Sequence, residues 1–249
     1  MILLLDVGNT RVKWAWFENL EIAPAGAVAH DTNHRSWQAE IEADGHRPTR
    51  IVAANVAGAG FADALKRWAG AQFGREPELL LAERRGFGIE NAYARPASLG
   101  VDRWLAMIAA WKSAPGATCI VNSGTALTID TLDAGGRHCG GLILPGVQMM
   151  SEARAALGAE PALRPGAALP GLAALAPVQS VPVTLAAVAD RAVAELGARV
   201  GAPPRVLLTG GDAALLAPHL ASRAEVVPDL VLTGLAIVAT AHRERPLDG

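Results

Sequence analysis

Cysteine is nearly absent from this chain: Cys119 and Cys139 are the only two in 249 residues. Each lies in an apolar, strand-like run, so buried reduced thiols are expected rather than a disulfide or a zinc site. The six histidines, His30, His34, His46, His138, His219 and His242, form no ligand spacing with cysteines or carboxylates and are expected in surface or structural roles. A Gly-x-x-x-x-Gly-Lys-Ser/Thr loop is missing, and Gly86-Phe87-Gly88-Ile89-Glu90-Asn91 lacks the third glycine of a dinucleotide fingerprint. No run of Lys and Arg interleaves with aromatics, and the net charge is -2, which speaks against nucleic acid as a partner. The apolar run from Ile2 is stopped by Asp6 and has no basic segment before it. Neither a secretory leader nor a membrane span is expected, and a cytoplasmic location follows as the expectation.

What remains is a core-rich chain, 51% apolar and 18% charged, long enough for one large domain or two small lobes. Periodicity predicts strands over Ile2 to Asp6, Arg11 to Phe17 and Ala25 to His30, a helix over His34 to Ala43 and a strand over Arg50 to Ala54. A helix over Phe61 to Phe73 and a strand over Glu78 to Ala82 complete the first part. After a helix over Ser98 to Ser113, three strands are predicted again, over Thr118 to Asn122, Ala126 to Leu132 and Arg137 to Leu144. Helices over Val147 to Leu157 and Val183 to Val200, a strand over Arg205 to Thr209, a helix over Ala213 to Leu220, a short strand over Glu225 to Val227 and a closing helix over Leu230 to His242 follow. The stretch 158–179, dense in Ala, Pro and Gly, reads as a loop with short helical turns. Strands joined by tight turns must be antiparallel, so two similar lobes with mixed sheets are expected.

The most informative segment is Leu3-Leu4-Leu5-Asp6-Val7-Gly8-Asn9-Thr10-Arg11-Val12-Lys13. It places a carboxylate, a glycine turn, a hydroxyl and an ammonium within a few residues, the groups needed to hold Mg²⁺ and nucleotide phosphates. Gly8-Asn9 is also an ordinary way to reverse a chain. Against that stands Asp6 at the end of an apolar strand, where a carboxylate is costly to bury without a cation or donors. An echo at Ile120-Val121-Asn122-Ser123-Gly124-Thr125-Ala126 suggests a duplicated fold gripping one nucleotide. A third glycine turn, Thr209-Gly210-Gly211-Asp212, ends a strand and opens a helix; it suits either a nucleotide or plain strand-to-helix packing with Asp212 as N-cap. In Gly100-Val101-Asp102-Arg103, downstream of Asn91-Ala92-Tyr93, the dipeptide alone reads better as a complement to the helix dipole with a solvated arginine beside it; the tyrosine just upstream and the glycine at the helix entrance tilt that only slightly toward a site.

Taken in order along the chain, Asp6-Val7-Gly8-Asn9-Thr10 with Lys13, Gly100-Val101-Asp102-Arg103, Gly124-Thr125-Ala126 and Thr209-Gly210-Gly211-Asp212 resemble type III pantothenate kinase, including relatives first described as Bvg accessory factors. The resemblance implies an α/β protein of the acetate and sugar kinase/Hsp70/actin superfold. Two ribonuclease-H-like lobes with mixed β-sheets, over 1–115 and 116–249, would hold ATP in the cleft between them, usually as a homodimer. It implies phosphorylation of pantothenate to 4'-phosphopantothenate, the first step of coenzyme A biosynthesis. By the same resemblance, Asp6, Val7, Gly8, Asn9, Thr10, Arg11, Val12, Lys13 and Thr125 contact ATP, and Asp6 holds Mg²⁺ directly or through water. Tyr93, Gly100, Val101, Asp102, Arg103 and Thr184 contact pantothenate, with Asp102 as the proton acceptor. Where the family commonly carries an aspartate associated with K⁺ or NH₄⁺, this chain has Asn122, an oxygen without charge, so monovalent-cation dependence is expected to weaken. The alternatives are an ATP-binding regulatory accessory protein without kinase activity and a sugar or acetate kinase of the same superfold. Asp102 with Arg103 favours the enzyme over the regulator, since a switch needs no substrate base.

Overall fold

The computed structural model describes residues 1–30, 35–156, 158 and 180–241. It divides into two compact units, one formed by Met1–Pro115 with the stretch from Asp229 on, the other by Gly116–Pro228. The loop expected over 158–179, apart from Gly158, lies outside the described residues, as do His34, Leu157 and His242 at the predicted ends of three helices.

In the first unit, β1 (Ile2–Val7), β2 (Arg11–Glu18) and β3 (Glu21–Ala29) form an antiparallel meander, followed by α1 (Ser36–Ala43), β4 (Arg50–Asn55), α2 (Ala59–Phe73) and β5 (Glu78–Leu79). The sheet order is β3-β2-β1-β4-β5, with β4 parallel to β1. A small hairpin, β6 (Arg85–Gly86) with β7 (Ile89–Glu90), and a 3₁₀ turn at Pro96–Ser98 lead into α3 (Val101–Ser113). β3 starts earlier than expected because Asn19 and Leu20, both at positive φ, turn the chain in two residues. Pro24 is tolerated in the strand since β3 is an edge.

The second unit repeats the plan. β8 (Thr118–Ser123), β9 (Ala126–Leu132) and β10 (His138–Pro145) precede α4 (Val147–Ala155), α5 (Ser180–Val200), β11 (Arg205–Thr209), α6 (Ala213–Leu216) and β12 (Glu225–Val226). Its sheet runs β10-β9-β8-β11-β12, the same permutation with β11 parallel to β8. The predicted helix Ala213 to Leu220 is shorter than expected: Pro218 removes a backbone donor, and the chain tightens into a 3₁₀ turn at Ala217–His219.

Alternation along β1 sorts its side chains by face. Leu3, Leu5 and Val7 join Trp37 and Ile41 of α1 and Phe61, Leu65, Trp68 and Ala69 of α2 in one buried cluster. Ile2, Leu4 and Asp6 point to the other face, which α3 and the closing helix α7 (Leu230–Ala241) cover. α7 is the one departure from a simple split at residue 115. Its backbone meets that of α3 so closely that a Cβ on Gly234 would stand 2.2 Å from the Leu105 carbonyl oxygen. Apolar on every side, with Leu230, Val231, Leu232, Leu235, Ala236, Val238 and Ala239 buried, α7 is built for enclosure rather than for a half-wet surface. In the second unit, Cys119, Val121, Leu127 and Ile129 pack with Leu185, Ala189 and Leu196 of α5 and Leu216 of α6. Cys119 is buried and Cys139 partly so, both as free thiols; burial pushes the Cys119 thiol up to about 12, which makes it unreactive. Among the described residues no helix is long and apolar enough to cross a membrane.

Candidate functional site

The first unit gathers its charged groups at the end of β1. Asp6 and Lys13 are direct partners across the β1–β2 pair, so both project on the face that α3 and α7 cover. Asp102 lies in the first turn of α3. From the start of α7 comes a residue that the sequence did not single out: Asp229, whose Oδ1 accepts from Lys13 Nζ at 3.2 Å. Burial pushes the Asp6 carboxyl up to about 7; Asp102 and Asp229 add to the rise, and Lys13 opposes it. Three carboxylates and the Lys13 ammonium thus bear on one corner, and a cation bound there would relieve the repulsion among the carboxylates.

The turn after Asp6 is built for access. The Gly8 N–H donates to the Arg11 carbonyl at 3.0 Å, closing the hairpin, while Asn9, Thr10 and Arg11 are exposed. Val7 and Val12 are core residues at 1% and 0% exposure, so only their backbone could reach a ligand. Arg11 reaches across to the Ala27 carbonyl at 3.2 Å.

Asp102 depends on the residue two before it. A Cβ on Gly100 would stand 2.5 Å from Asp102 Oδ1, so a side chain there would push on that carboxylate, which folds over the helix start and accepts from the Arg103 N–H at 2.9 Å. Arg103 is 4% exposed. Its guanidinium donates to the Tyr93 hydroxyl at 3.2 Å and lies 5.8 Å from the centre of that ring. Tyr93 is held in turn by Asn91, 1% exposed, which accepts from the Tyr93 N–H at 2.9 Å and donates to the carbonyls of Glu83 and Pro96. The expected substrate segment is therefore one connected network. Asn91, quoted in the sequence only as a neighbour of Tyr93, is its anchor.

In the second unit, Asn122 is at the end of β8 opposite Thr128 and beside Thr209 of β11. The Gly124 N–H donates to Ala126 at 3.1 Å, and the carbonyl of Thr125 accepts from Gly146 at 2.9 Å. Gly210, at φ 96°, presses on the same strand end: a Cβ there would stand 2.2 Å from the Ser123 carbonyl oxygen. This favours the packing reading of the Gly210-Gly211 turn. Asp212 precedes α6 but makes no side-chain capping bond, contrary to the N-cap expectation; its N–H donates to Ser123 instead. Thr184 is exposed on α5 and gives its hydroxyl to the Ser180 carbonyl at 2.7 Å. A cavity of about 580 Å³ in this unit is lined by Val193, Gly197, Pro203, Pro204, Val206 and Arg223 among others; none of the expected site residues borders it.

Residues 2–162 match the type III pantothenate kinase family. The chain is 36% identical to the type III pantothenate kinase of Nitrosococcus oceani, covering 100% of this chain and 98% of that protein. It is 40% identical to that of Laribacter hongkongensis, covering 96% and 98%. Among solved structures, a Campylobacter jejuni protein described as a Baf family transcriptional activator aligns with a TM-score of 0.56 at 18% identity, over 98% of this chain and 100% of that one. The (R)-2-hydroxyglutaryl-CoA dehydratase component A of Acidaminococcus fermentans aligns at 0.55 and 14%, over 98% and 99%. A glucokinase of Streptomyces griseus solved with glucose and AMPPNP aligns at 0.51 and 14%, over 96% and 99%. These structural likenesses establish the fold, the actin, Hsp70 and sugar kinase superfold with a mixed sheet in each of two lobes. The full-length sequence matches establish more: the chain belongs to the type III pantothenate kinase family.

Proposed function

We propose that this chain transfers the γ-phosphoryl group of ATP to the primary hydroxyl of pantothenate, yielding 4'-phosphopantothenate, ADP and a proton, the first step of coenzyme A biosynthesis. The observation that carries the reading is the strand end where Asp6 faces Lys13, its carboxyl raised to about 7 by burial first and by the neighbouring Asp102 second. Phosphoryl transfer asks a protein for alignment and charge neutralisation more than for covalent chemistry, and these groups supply both.

The exposed Asn9 and Thr10 offer backbone N–H groups and a hydroxyl to the β- and γ-phosphates, and Lys13 adds positive charge. Asp102 takes the proton of the attacking hydroxyl, a task typically worth about 10²- to 10⁴-fold. Arg103 presents a planar fork to the substrate's carboxylate or amide oxygens, with Tyr93 keeping it in place. Thr125 and Thr184 complete the contacts that the family resemblance implies. Among the described residues no group of three or more His, Cys, Asp or Glu is arranged to hold a metal. That suits Mg²⁺, which keeps phosphate and water ligands of its own and takes one or two carboxylates. Asp6 would hold it, and the ion would neutralise charge on the transferring phosphate. A homodimer, a cytoplasmic location and a weak response to K⁺ at Asn122 belong to the same reading.

The test is incubation of the purified protein with Mg–ATP and, separately, pantothenate, sugars and short-chain acids, with ADP release as readout. ADP release with pantothenate alone is expected, and Asp102→Asn should lower kcat by at least about 10²-fold. Turnover of a sugar or an acid in preference to pantothenate would overturn the proposal; near-native kcat in the variant would remove Asp102 from its role.

A further inference from the structure

Asp229 is 216 positions from Lys13 in sequence, yet it is the partner that the Lys13 ammonium meets at 3.2 Å. The pair is partly buried, with 29% and 35% of the two side chains exposed. Its backbone is unusual: Asp229 has φ 51°, a left-handed conformation that a residue with a Cβ adopts only at some cost. Pro228 precedes it, and its carbonyl accepts the first bond of α7 from the Thr233 N–H at 3.1 Å. A glycine would satisfy that backbone with less strain. An ordinary helix cap would have its side chain turned back on its own helix, whereas this carboxylate reaches to the neighbouring strand.

We infer that Asp229 is a positioning residue for nucleotide use: it holds the Lys13 side chain at the end of β1, aimed toward the Gly8–Thr10 turn, so that the ammonium is in place when the phosphates arrive. The physical reason is entropy. A free lysine side chain samples many rotamers, and a preset ammonium gives up less of that freedom on binding. The carboxylate does this without making contact with substrate. Four charged groups from four elements share this corner, Asp6 of β1, Lys13 of β2, Asp102 of α3 and Asp229 before α7; Asp229 is the one of them that the family resemblance did not single out. The inference rests on the kinase reading only in that Mg–ATP is taken as the ligand of Lys13.

The experiment is a double-mutant cycle read by calorimetric titration of Mg–ATP without pantothenate, and then by steady-state kinetics. Asp229→Asn should weaken Mg–ATP binding about tenfold and raise KM for ATP to match, with KM for pantothenate changed less than twofold. In a Lys13→Ala background the same substitution should have almost no further effect, since its action runs through the lysine. Asp229→Gly relieves the backbone while deleting the carboxylate, so it should keep or raise the unfolding temperature and still lose affinity. Equal losses with and without Lys13, or wild-type binding in Asp229→Asn, would overturn the inference. Absence of pantothenate turnover by the wild type would overturn the kinase reading instead, and leave the titration to decide the role of Asp229.

Discussion

The two sheets share one strand order, yet the ends of their first strands are chemically unlike. At β1 the last pair but one across the hairpin is Asp6 and Lys13; at the equivalent place on β8 it is Asn122 and Thr128, with Thr209 alongside. The first is ionic. The second is neutral, and its turn is clamped by Gly146 and Gly210, where added Cβ atoms would stand 2.0 and 2.2 Å from neighbouring carbonyl oxygens. At Gly8 the nearest atom to an added Cβ is 3.4 Å away, and at Gly124, its counterpart in the second turn, nothing lies within 4 Å. One backbone frame thus occurs twice with different surroundings: a charged strand end in one unit, and in the other a neutral one against which two further glycine turns press.

Making the first strand end resemble the second is the strongest way to break that contrast. Asp6→Asn should lower kcat/KM for Mg–ATP by about 10²-fold or more, the loss expected when the carboxylate that would hold the charge-neutralising cation is removed. The protein should nevertheless stay folded. The same substitution has a pH signature. A carboxyl raised from 3.8 to about 7 in the folded state binds more protons there than in the unfolded chain across that interval, so wild-type stability should fall as pH rises from about 4 to 7. Urea unfolding in Mg²⁺-free buffer at the two ends of the interval should show a decline on the order of 3 kcal/mol, and Asp6→Asn should flatten it.

A glycine exchange tests the crowding. Gly210→Ala places a side chain at φ 96° against the Ser123 carbonyl and should cost about 3 kcal/mol, whereas Gly8→Ala should cost less than about 1 kcal/mol. Denaturant unfolding of the two variants side by side measures the difference; equal costs would remove the distinction between the turns. The smallest effect is expected from Asn122→Asp. A charge beside a bound cation in a water-accessible place is worth about 1 kcal/mol, so K⁺ should stimulate this variant about fivefold more than the wild type, read from initial rates in K⁺ against Na⁺.

Much of the fold was legible because its signals are local. The near-continuous buried runs of β1 and β8 and the hairpin turns between the meander strands specify mixed sheets without any long-range information. The boundaries that slipped did so for local reasons too: Asn19 and Leu20 form a two-residue turn without glycine, and Pro218 stops a helix that periodicity would extend. The glycine turn after Asp6 and the segment from Tyr93 to Arg103 stood out in the sequence because each packs its polar groups into about ten residues, and the structure links Tyr93 to Arg103 by a hydrogen bond. Asp229 did not stand out. An Asp after Pro at the start of a helix looks like any cap, and nothing in spacing links it to a lysine 216 residues away. Asn91 escaped notice for a related reason, because an asparagine buried by three hydrogen bonds has the same one-dimensional appearance as one in a solvated loop.

The chain by itself determined the strand plan and its repetition, because hydrophobic period and turn chemistry act between neighbours. The tertiary structure alone decided that α7 belongs with α3 and that Lys13 is gripped by Asp229. It also decided that the Asp6 carboxyl is driven upward, because packing, desolvation and Coulomb fields depend on distance in space, which sequence separation does not encode.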